Sequence, residues 1–367
     1  MADPRIEKLA ELLVSYSVSV KPDDKVAILS PNVAQPLTNA IFARVLQAGG
    51  HPIIMPRSMD TIELLYRYGS QKQLEYIHEG QRLITEKYDV RIVILGDENT
   101  KTLSQVDPAK MVIYDKARTD LMKTMMRRSA SGELRWTLAP YPTNAFAQDA
   151  DMSLTEYEDF LYKACMPDQN DPVGYWKNFS AGQERIIKWL KGKDKVHLTG
   201  PETDLWLSVS GRTFINCSGK FNMPDGEVFT GPVEDSAEGH VYFSYPAIEA
   251  GREVTGVRLW FNKGMVVKAT AEKNEDFLLK TLDTDAGARY LGEFAIGTNE
   301  GITRFSRQIL FDEKIGGSFH MALGAGYPET GSKNESAIHW DMVCDLRKGG
   351  EIRVDDQLLY RDGKFVI

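Results

Sequence analysis

The sequence predicts a mixed α/β plus α+β fold: an N-terminal Rossmann-like α/β domain followed by a mainly antiparallel β domain. Three observations predict it. Helical periodicity alternates with short apolar runs over residues 1–100. From about Val196 onward the texture turns to short β-rich runs and glycine turns. Finally, 367 residues are more than one hydrophobic core usually serves. The expected limits are 1–143 for the α/β domain, 144–195 for a helical linker region and 196–367 for the β domain.

Ile6, Leu9, Leu12, Leu13 and Tyr16 recur at helical spacing, and Lys25-Val-Ala-Ile-Leu29 then reads as a buried strand. Leu37, Ile41 and Val45 form a second helical stripe, which Gly49-Gly50 ends. Pro52-Ile-Ile-Met55 and Val90-Arg-Ile-Val-Ile-Leu95 supply two more strands. Strands separated by helix-length segments imply right-handed crossovers and a parallel sheet. The turn after Leu29, Ser30-Pro31-Asn32-Val33, has no glycine to admit a pyrophosphate, which counts against a nucleotide-binding module. Further on, Ser153-Leu-Thr-Glu156 is a capping box for a helix through Tyr157, Phe160 and Leu161, and Gln183–Leu190 is another helix. Val241–Tyr245, Val254–Phe261 and Met265–Ala269 read as strands, with a helix near Asn274–Leu282.

Composition narrows the function. Forty-four basic against 52 acidic residues give a net charge of −8, and no Lys/Arg cluster suggests nucleic acid as a partner. No apolar run approaches the roughly 20 residues of a membrane span. The opening MADPRIEKLAELL is an amphipathic helix rather than a signal peptide. Three scattered cysteines, Cys165, Cys217 and Cys344, point to a reducing cytoplasm. There is no phosphate loop, no zincin helix at His78-Glu79, and no nucleophile elbow around Ser210 or Ser318.

The chemistry-bearing residues left over lie in the C-terminal third. Glu227 follows a Pro-Asp-Gly turn, Glu293 sits between a glycine and apolar neighbours, and His320 is embedded in an apolar stretch. Tyr327 follows seven residues after His320, and Ser336-Ala-Ile-His-Trp-Asp-Met-Val343 holds His339 and Asp341 at i and i+2. On a strand such a pair faces one side, so both converge on one point. Two imidazoles and three carboxylates suit one or two divalent cations. Each residue also has an ordinary role open to it: a hydrogen-bonded core histidine, a turn cap, a strand-end glutamate. His51, His78, His197 and His240 have no carboxylate at ligand spacing.

At these residues the chain resembles the aminopeptidase T family of metallo-aminopeptidases, which includes the AmpS and PepS types. The resemblance is an ordered series: Tyr141-Pro-Thr143, Gln148, Asn222-Met-Pro-Asp-Gly-Glu-Val-Phe-Thr230 and Gly292-Glu-Phe-Ala-Ile-Gly-Thr-Asn299. It continues through Phe311-Asp-Glu313, His320-Met-Ala-Leu-Gly324, Tyr327-Pro328 and His339-Trp-Asp341. It implies that Glu227, Glu293, His320, His339 and Asp341 bind two divalent metal ions (zinc, cobalt, manganese or magnesium), with a site role for Tyr327. The C-terminal domain then becomes the metal-binding catalytic one, and a homodimer is implied.

The expected reaction is hydrolysis of N-terminal residues from peptides with a free N-terminus, by a water activated between two metals. Either Glu227 or Glu293 accepts its proton, with Glu293 preferred, and Tyr327 donates to the oxyanion. Asp312 and Glu313 are candidates for orienting a ligand from outside the donor set. The alternative is a ring-cleaving dioxygenase of the dihydroxypyridine type. It would hold one ferrous ion with His320, His339 and Asp341 and would have no use for Glu227 and Glu293.

Overall fold

The computed structural model describes residues 3–249 and 251–367, which divide into two compact units. One contains the chain up to Tyr175 together with Gly219–Pro224; the other contains Trp176–Ser218 and Asp225–Ile367.

The first unit is built on four strands, β1 (Lys25–Ser30), β2 (His51–Pro56), β3 (Val90–Leu95) and β4 (Arg135–Pro140), all parallel in the order β2-β1-β3-β4. Helix α1 (Pro4–Leu12) starts on Asp3, whose carboxylate accepts from the Arg5 N–H, and Pro4 sits where a missing N–H costs nothing. Its apolar stripe runs on through a π-turn at Leu13–Ser17. Helix α2 (Gln35–Gln47) buries Leu37, Ile41 and Val45, and the chain leaves it through Gly49 at φ 81°. Between β2 and β3 come α3 (Met59–Tyr68), α4 (Gln71–Glu75) and α5 (Glu79–Lys87); α6 (Pro108–Ala117) and α7 (Thr119–Ala130) follow β3. The turn after β1 is a short 3-10 segment, Asn32–Ala34, leading into α2. Strand β4 escaped the sequence reading because Arg135-Trp-Thr-Leu-Ala-Pro140 lacks a β-branched apolar run. Beside it, Phe221 and Met223 hydrogen-bond to the two sides of Leu138.

Residues 144–195, expected as a linker region, form α8 (Asn144–Asp149), α9 (Leu154–Cys165) and α10 (Pro172–Leu190). Ser153 and Glu156 make the capping box of α9. The first two helices belong to the first unit, and most of α10 belongs to the second.

The second unit carries β5 (Lys195–Gly200), β6 (Thr203–Ser208), β7 (Ile215–Cys217), β8 (Glu227–Thr230), β9 (Glu238–Phe243), β10 (Ala247–Glu249), β11 (Arg252–Val254), β12 (Val257–Asn262) and β13 (Met265–Thr270). After α11 (Glu275–Leu282) come β14 (Leu291–Gly297), the short α12 (Ile309–Asp312), β15 (Ser318–Gly324), β16 (His339–Asp345), β17 (Glu351–Val354), β18 (Gln357–Arg361) and β19 (Lys364–Phe365). Three antiparallel sheets result, one of eight strands, β13-β12-β9-β6-β5-β17-β18-β19, one of five, β16-β15-β14-β8-β7, and the pair β10-β11. The expected strand Val254–Phe261 is in fact two, because Gly256 at φ 66° breaks the run between β11 and β12.

The eight- and five-stranded sheets share one core. Val196, Leu205, Val241 and Leu259 of the large sheet cluster with Phe294, Ile296, Phe319, Met321, Trp340 and Met342 of the small one. Mixed α/β architecture with one parallel and two large antiparallel sheets is therefore what the chain adopts. Among the described residues, no helix is long and apolar enough to cross a membrane.

Candidate metal centre

Strands β14 and β15 are buried along their whole length, yet each carries a charged residue. The register explains where those charges go. Phe229, Ala295, His320 and Val343 form one row across the five-stranded sheet, and Glu293, Ala322 and Asp341 form a neighbouring one. Directly paired residues share a face, so Glu227, Glu293, His320, His339 and Asp341 all project from the side opposite the core. Small residues between them, Ala295, Gly297, Ala322 and Gly324, leave that side room for polar heads. The apolar alternates, Phe294, Ile296, Phe319, Met321, Trp340 and Met342, fill the core.

The five residues singled out in the sequence meet in two overlapping groups. Nε2 of His320 lies 3.4 Å from Oε2 of Glu227 and 3.5 Å from Oε1 of Glu293. Nε2 of His339 lies 3.3 Å from Oε2 of Glu293 and 3.5 Å from Oδ1 of Asp341. Glu293 thus turns one oxygen to each histidine. Glu313, at the end of the short α12, faces the same place: its carboxylate, His320 and Asp341 form a further group with ligand atoms within 4.8 Å of one another.

Residues outside the donor set hold it. Nδ1 of His339 lies 2.7 Å from the Ala325 carbonyl, which fixes Nδ1 as donor and turns Nε2 to the site. Gln183 of α10 donates to the Glu227 carbonyl at 2.7 Å and to the carbonyl of Cys217, and it accepts from Thr298. Asn299 donates to the Asp225 carbonyl, and its own backbone N–H binds the Lys314 carbonyl. The turn before Glu227 and the segment after Glu313 are thereby tied together. Tyr327 packs edge-on against His339, with ring centroids 5.1 Å apart, and against Phe229.

Lys314 is the residue that sequence reasoning missed altogether. Its ammonium is fully buried, paired with Glu313 and 3.8 Å from Glu227. A lysine next to an acidic pair reads as surface charge, and only the buried turn after α12 shows otherwise. In the sequence Glu313 reads only as an outer residue, and Gln183 only as the start of a helix.

The electrostatics follow from four buried carboxylates around one lysine. Burial raises Glu227 most, Lys314 opposes it, and the result is about 8. Burial also raises Glu313. It acts likewise on Glu293 and Asp341, but contact with the histidines holds both below the usual carboxylate range. For the imidazoles burial works downward, yet Glu293 and Glu227 lift His320 to about 9, and Asp341 and Glu293 lift His339 to about 11. Burial and the surrounding carboxylates keep the Tyr327 phenol protonated. Glu249, on β10, is raised by burial and by Asp341, so another carboxyl faces this edge of the site.

As the protein groups stand, imidazole protons compensate the carboxylates. A divalent cation offers the same compensation at one point, and oxygen with imidazole donors suits zinc, cobalt or manganese. Glu227 Oε2, Asp341 Oδ1 and His320 Nδ1 are buried without a hydrogen-bond partner. Such orphans ordinarily cost about 1–3 kcal/mol each. The donor set therefore fits a divalent metal. Cys217, Asp225 and Glu227 form a neighbouring group whose ligand atoms also lie within 4.8 Å of one another.

The thermophilic metalloprotease (M29) family model matches residues 2–365. The chain belongs to this family. Among similar curated proteins, aminopeptidase T of Thermus thermophilus is 26% identical over 398 residues, covering 98% of this chain and 95% of that one. Aminopeptidase 2 of Geobacillus stearothermophilus is 25% identical, covering 99% of this chain and 95% of its own. Aminopeptidase PepS of Streptococcus thermophilus is 28% identical over 88% of this chain and 84% of its own. In three dimensions the chain is similar to wild-type AmpT from Thermus thermophilus, with a TM-score of 0.87, 23% identity and 99% of each chain covered. The family match agrees with the resemblance read from the motifs, and these relatives lend the dioxygenase alternative no support.

Proposed function

We propose that this member of the metalloprotease family is a metal-dependent aminopeptidase, and that Glu227, Glu293, His320, His339 and Asp341, with Glu313, hold two divalent cations. The observation that carries the reading is Glu293, which directs its two oxygens at two different histidines. A single-ion site has no need of that span. The relatives' names, all aminopeptidases, support the reaction class.

Bound divalent cations supply Lewis acidity, which eases ionisation of water near neutral pH and polarises a carbonyl. The chain's own groups do the rest. His320 and His339 present Nε2, the latter aimed by the Ala325 carbonyl. Lys314, paired with Glu313 and 3.8 Å from Glu227, opposes the upward pull of burial on both carboxylates. Tyr327, held protonated, donates to the peptide oxygen as charge develops there. Glu293 takes the proton from the attacking water. A second reading gives that role to Glu313, because burial raises its proton affinity whereas the histidines lower that of Glu293.

We also place the protein in a reducing cytoplasm as a homodimer acting on peptides with a free N-terminus. Among the described residues no disulfide joins Cys165, Cys217 and Cys344, which supports the compartment. The functional test is a pair of anilides, leucine p-nitroanilide and its N-acetyl form. The reading requires metal-dependent release of p-nitroaniline from the first and none from the second. Equal cleavage of both would make the protein an endopeptidase or amidase instead.

A further inference from the structure

The first unit holds an open cavity of about 510 Å³ against the parallel sheet, lined by β1, β2, β3 and helices α3, α5, α6 and α7. That size is ordinary for a small-molecule site. Most of its wall is apolar and flexible: Leu29, Met59, Ile84, Leu121, Met122 and Met125. Arg91 breaks the pattern.

Arg91 lies on β3, paired with Ala27 on one side and Trp136 on the other. Strands inside a parallel sheet covered by helices run apolar, as Ile92, Val93 and Ile94 do here. The Arg91 guanidinium instead has Nε buried without a partner, and Nη1 rests on the Met125 sulfur at 3.2 Å. Among the described residues it makes no ion pair. The charge felt most strongly beside it is another cation, Arg57, and burial and Arg57 together pull its pKa down. Arg57 lines the same cavity, also without an ion pair, with the Asp97 carboxylate within its electrostatic reach. The third arginine, Arg118, is committed to the carbonyls of Leu74, Tyr76 and Tyr114. A buried cation is ordinarily paired, because desolvation alone is expensive.

We propose that this cavity is a second, non-catalytic ligand site, taking a small organic acid whose carboxylate meets Arg91 and Arg57 and whose aliphatic body lies along the methionines. Methionine walls adapt to chains of varied shape, and paired arginines are suited to carboxylates.

The test uses the full-length protein and octanoate as the probe, followed by titration calorimetry. Saturable binding at one site per chain is expected, with octylamine and octan-1-ol at least tenfold weaker and inorganic phosphate silent. Arg91→Met should weaken octanoate about tenfold or more, the scale of hydrogen bonds to a charged group. His339→Ala should leave it unchanged, which separates this site from a carboxylate sitting at the metal centre. Met125→Glu supplies an internal carboxylate where the sulfur now meets Arg91. It should abolish octanoate binding and raise the melting temperature, while Met125→Leu should keep binding. Octanoate binding that survives both Arg91→Met and Met125→Glu overturns the proposal. So does equal binding of octan-1-ol, which would reveal a merely greasy cavity, or binding of phosphate in preference to octanoate.

Discussion

Nδ1 of His339 lies 2.7 Å from the carbonyl oxygen of Ala325, so the ring is held from behind and Nε2 is the nitrogen left for the site. The Ala325 carbonyl is itself held in a turn. The Asn334 side chain donates to the carbonyls of Gly324 and Gly287, and its backbone carbonyl accepts from the Gly326 N–H. Replacing Asn334 by Ala leaves every proposed ligand in place but loosens the turn that aims His339. Partners of this outer kind are worth about 10–100-fold in metal affinity or activity. Competition titration with a chromophoric chelator is expected to show a loss in that range, with the fold intact by circular dichroism.

Lys314 gives a prediction of opposite character. With a chelator present, Lys314→Met leaves Glu227 and Glu313 buried beside each other without their cation. Breaking a buried pair in this way costs about 3–5 kcal/mol. Saturating divalent metal supplies positive charge at the same place, so part of the loss is recovered on adding it. Denaturant unfolding of wild type and variant, each with chelator and with metal, should therefore show a larger metal-induced stabilisation in the variant.

The two carboxylates competing to accept the water's proton separate by kinetics. If Glu293 accepts it, Glu293→Gln lowers kcat by about 10²–10⁴-fold, the span of general base catalysis, while Glu313→Gln stays within tenfold. Metal content must be measured for each variant at assay conditions. The reverse order transfers the role to Glu313.

Asp285 predicts an acid-sensitive edge to the site. Its carboxylate accepts from the Ala337 N–H and from Ser336 Oγ, just before His339, and also from the Gly287 N–H. The Ala337 and Ser336 hydrogen bonds hold its pKa below the ordinary value, against a small opposing effect of burial. Because the folded-state pKa is the lower one, the stabilisation is full above the unfolded value of about 3.9 and is lost as pH falls through the folded value. Asp285→Asn should unfold earlier than wild type at pH 6, and the two curves should converge at the acid end, once the folded-state carboxyl is protonated.

Much of the site was legible in the sequence because β-strands alternate. A charged residue in an apolar strand, as at Glu293 and His320, must point somewhere polar, and the i, i+2 spacing of His339 and Asp341 sends both to one side. Three of the parallel strands were legible for a simpler reason: Lys25–Leu29, Pro52–Met55 and Val90–Leu95 are compact apolar runs. Lys314 and Gln183 were not legible, since their importance lies in what tertiary structure brings beside them. Gln183 meets the Glu227 carbonyl from 44 residues away. Helices α6 and α7 were also not legible, because α6 buries no residue and α7 only Leu121 and Arg128, so neither carries the buried stripe of a core helix. Gly256 shows the converse error: an apolar β-rich run looked continuous, but a positive φ divides it.

Metal stoichiometry and peptide cleavage, measured on one purified sample, test the central claim most directly. Leucine p-nitroanilide hydrolysis is followed while zinc, cobalt or manganese is added back to chelator-treated protein and bound metal is counted. The account predicts no hydrolysis without metal and two ions per chain at full activity, with Asp341→Ala failing to reach two. One iron per chain with no anilide cleavage, or full cleavage in metal-free protein, would contradict it.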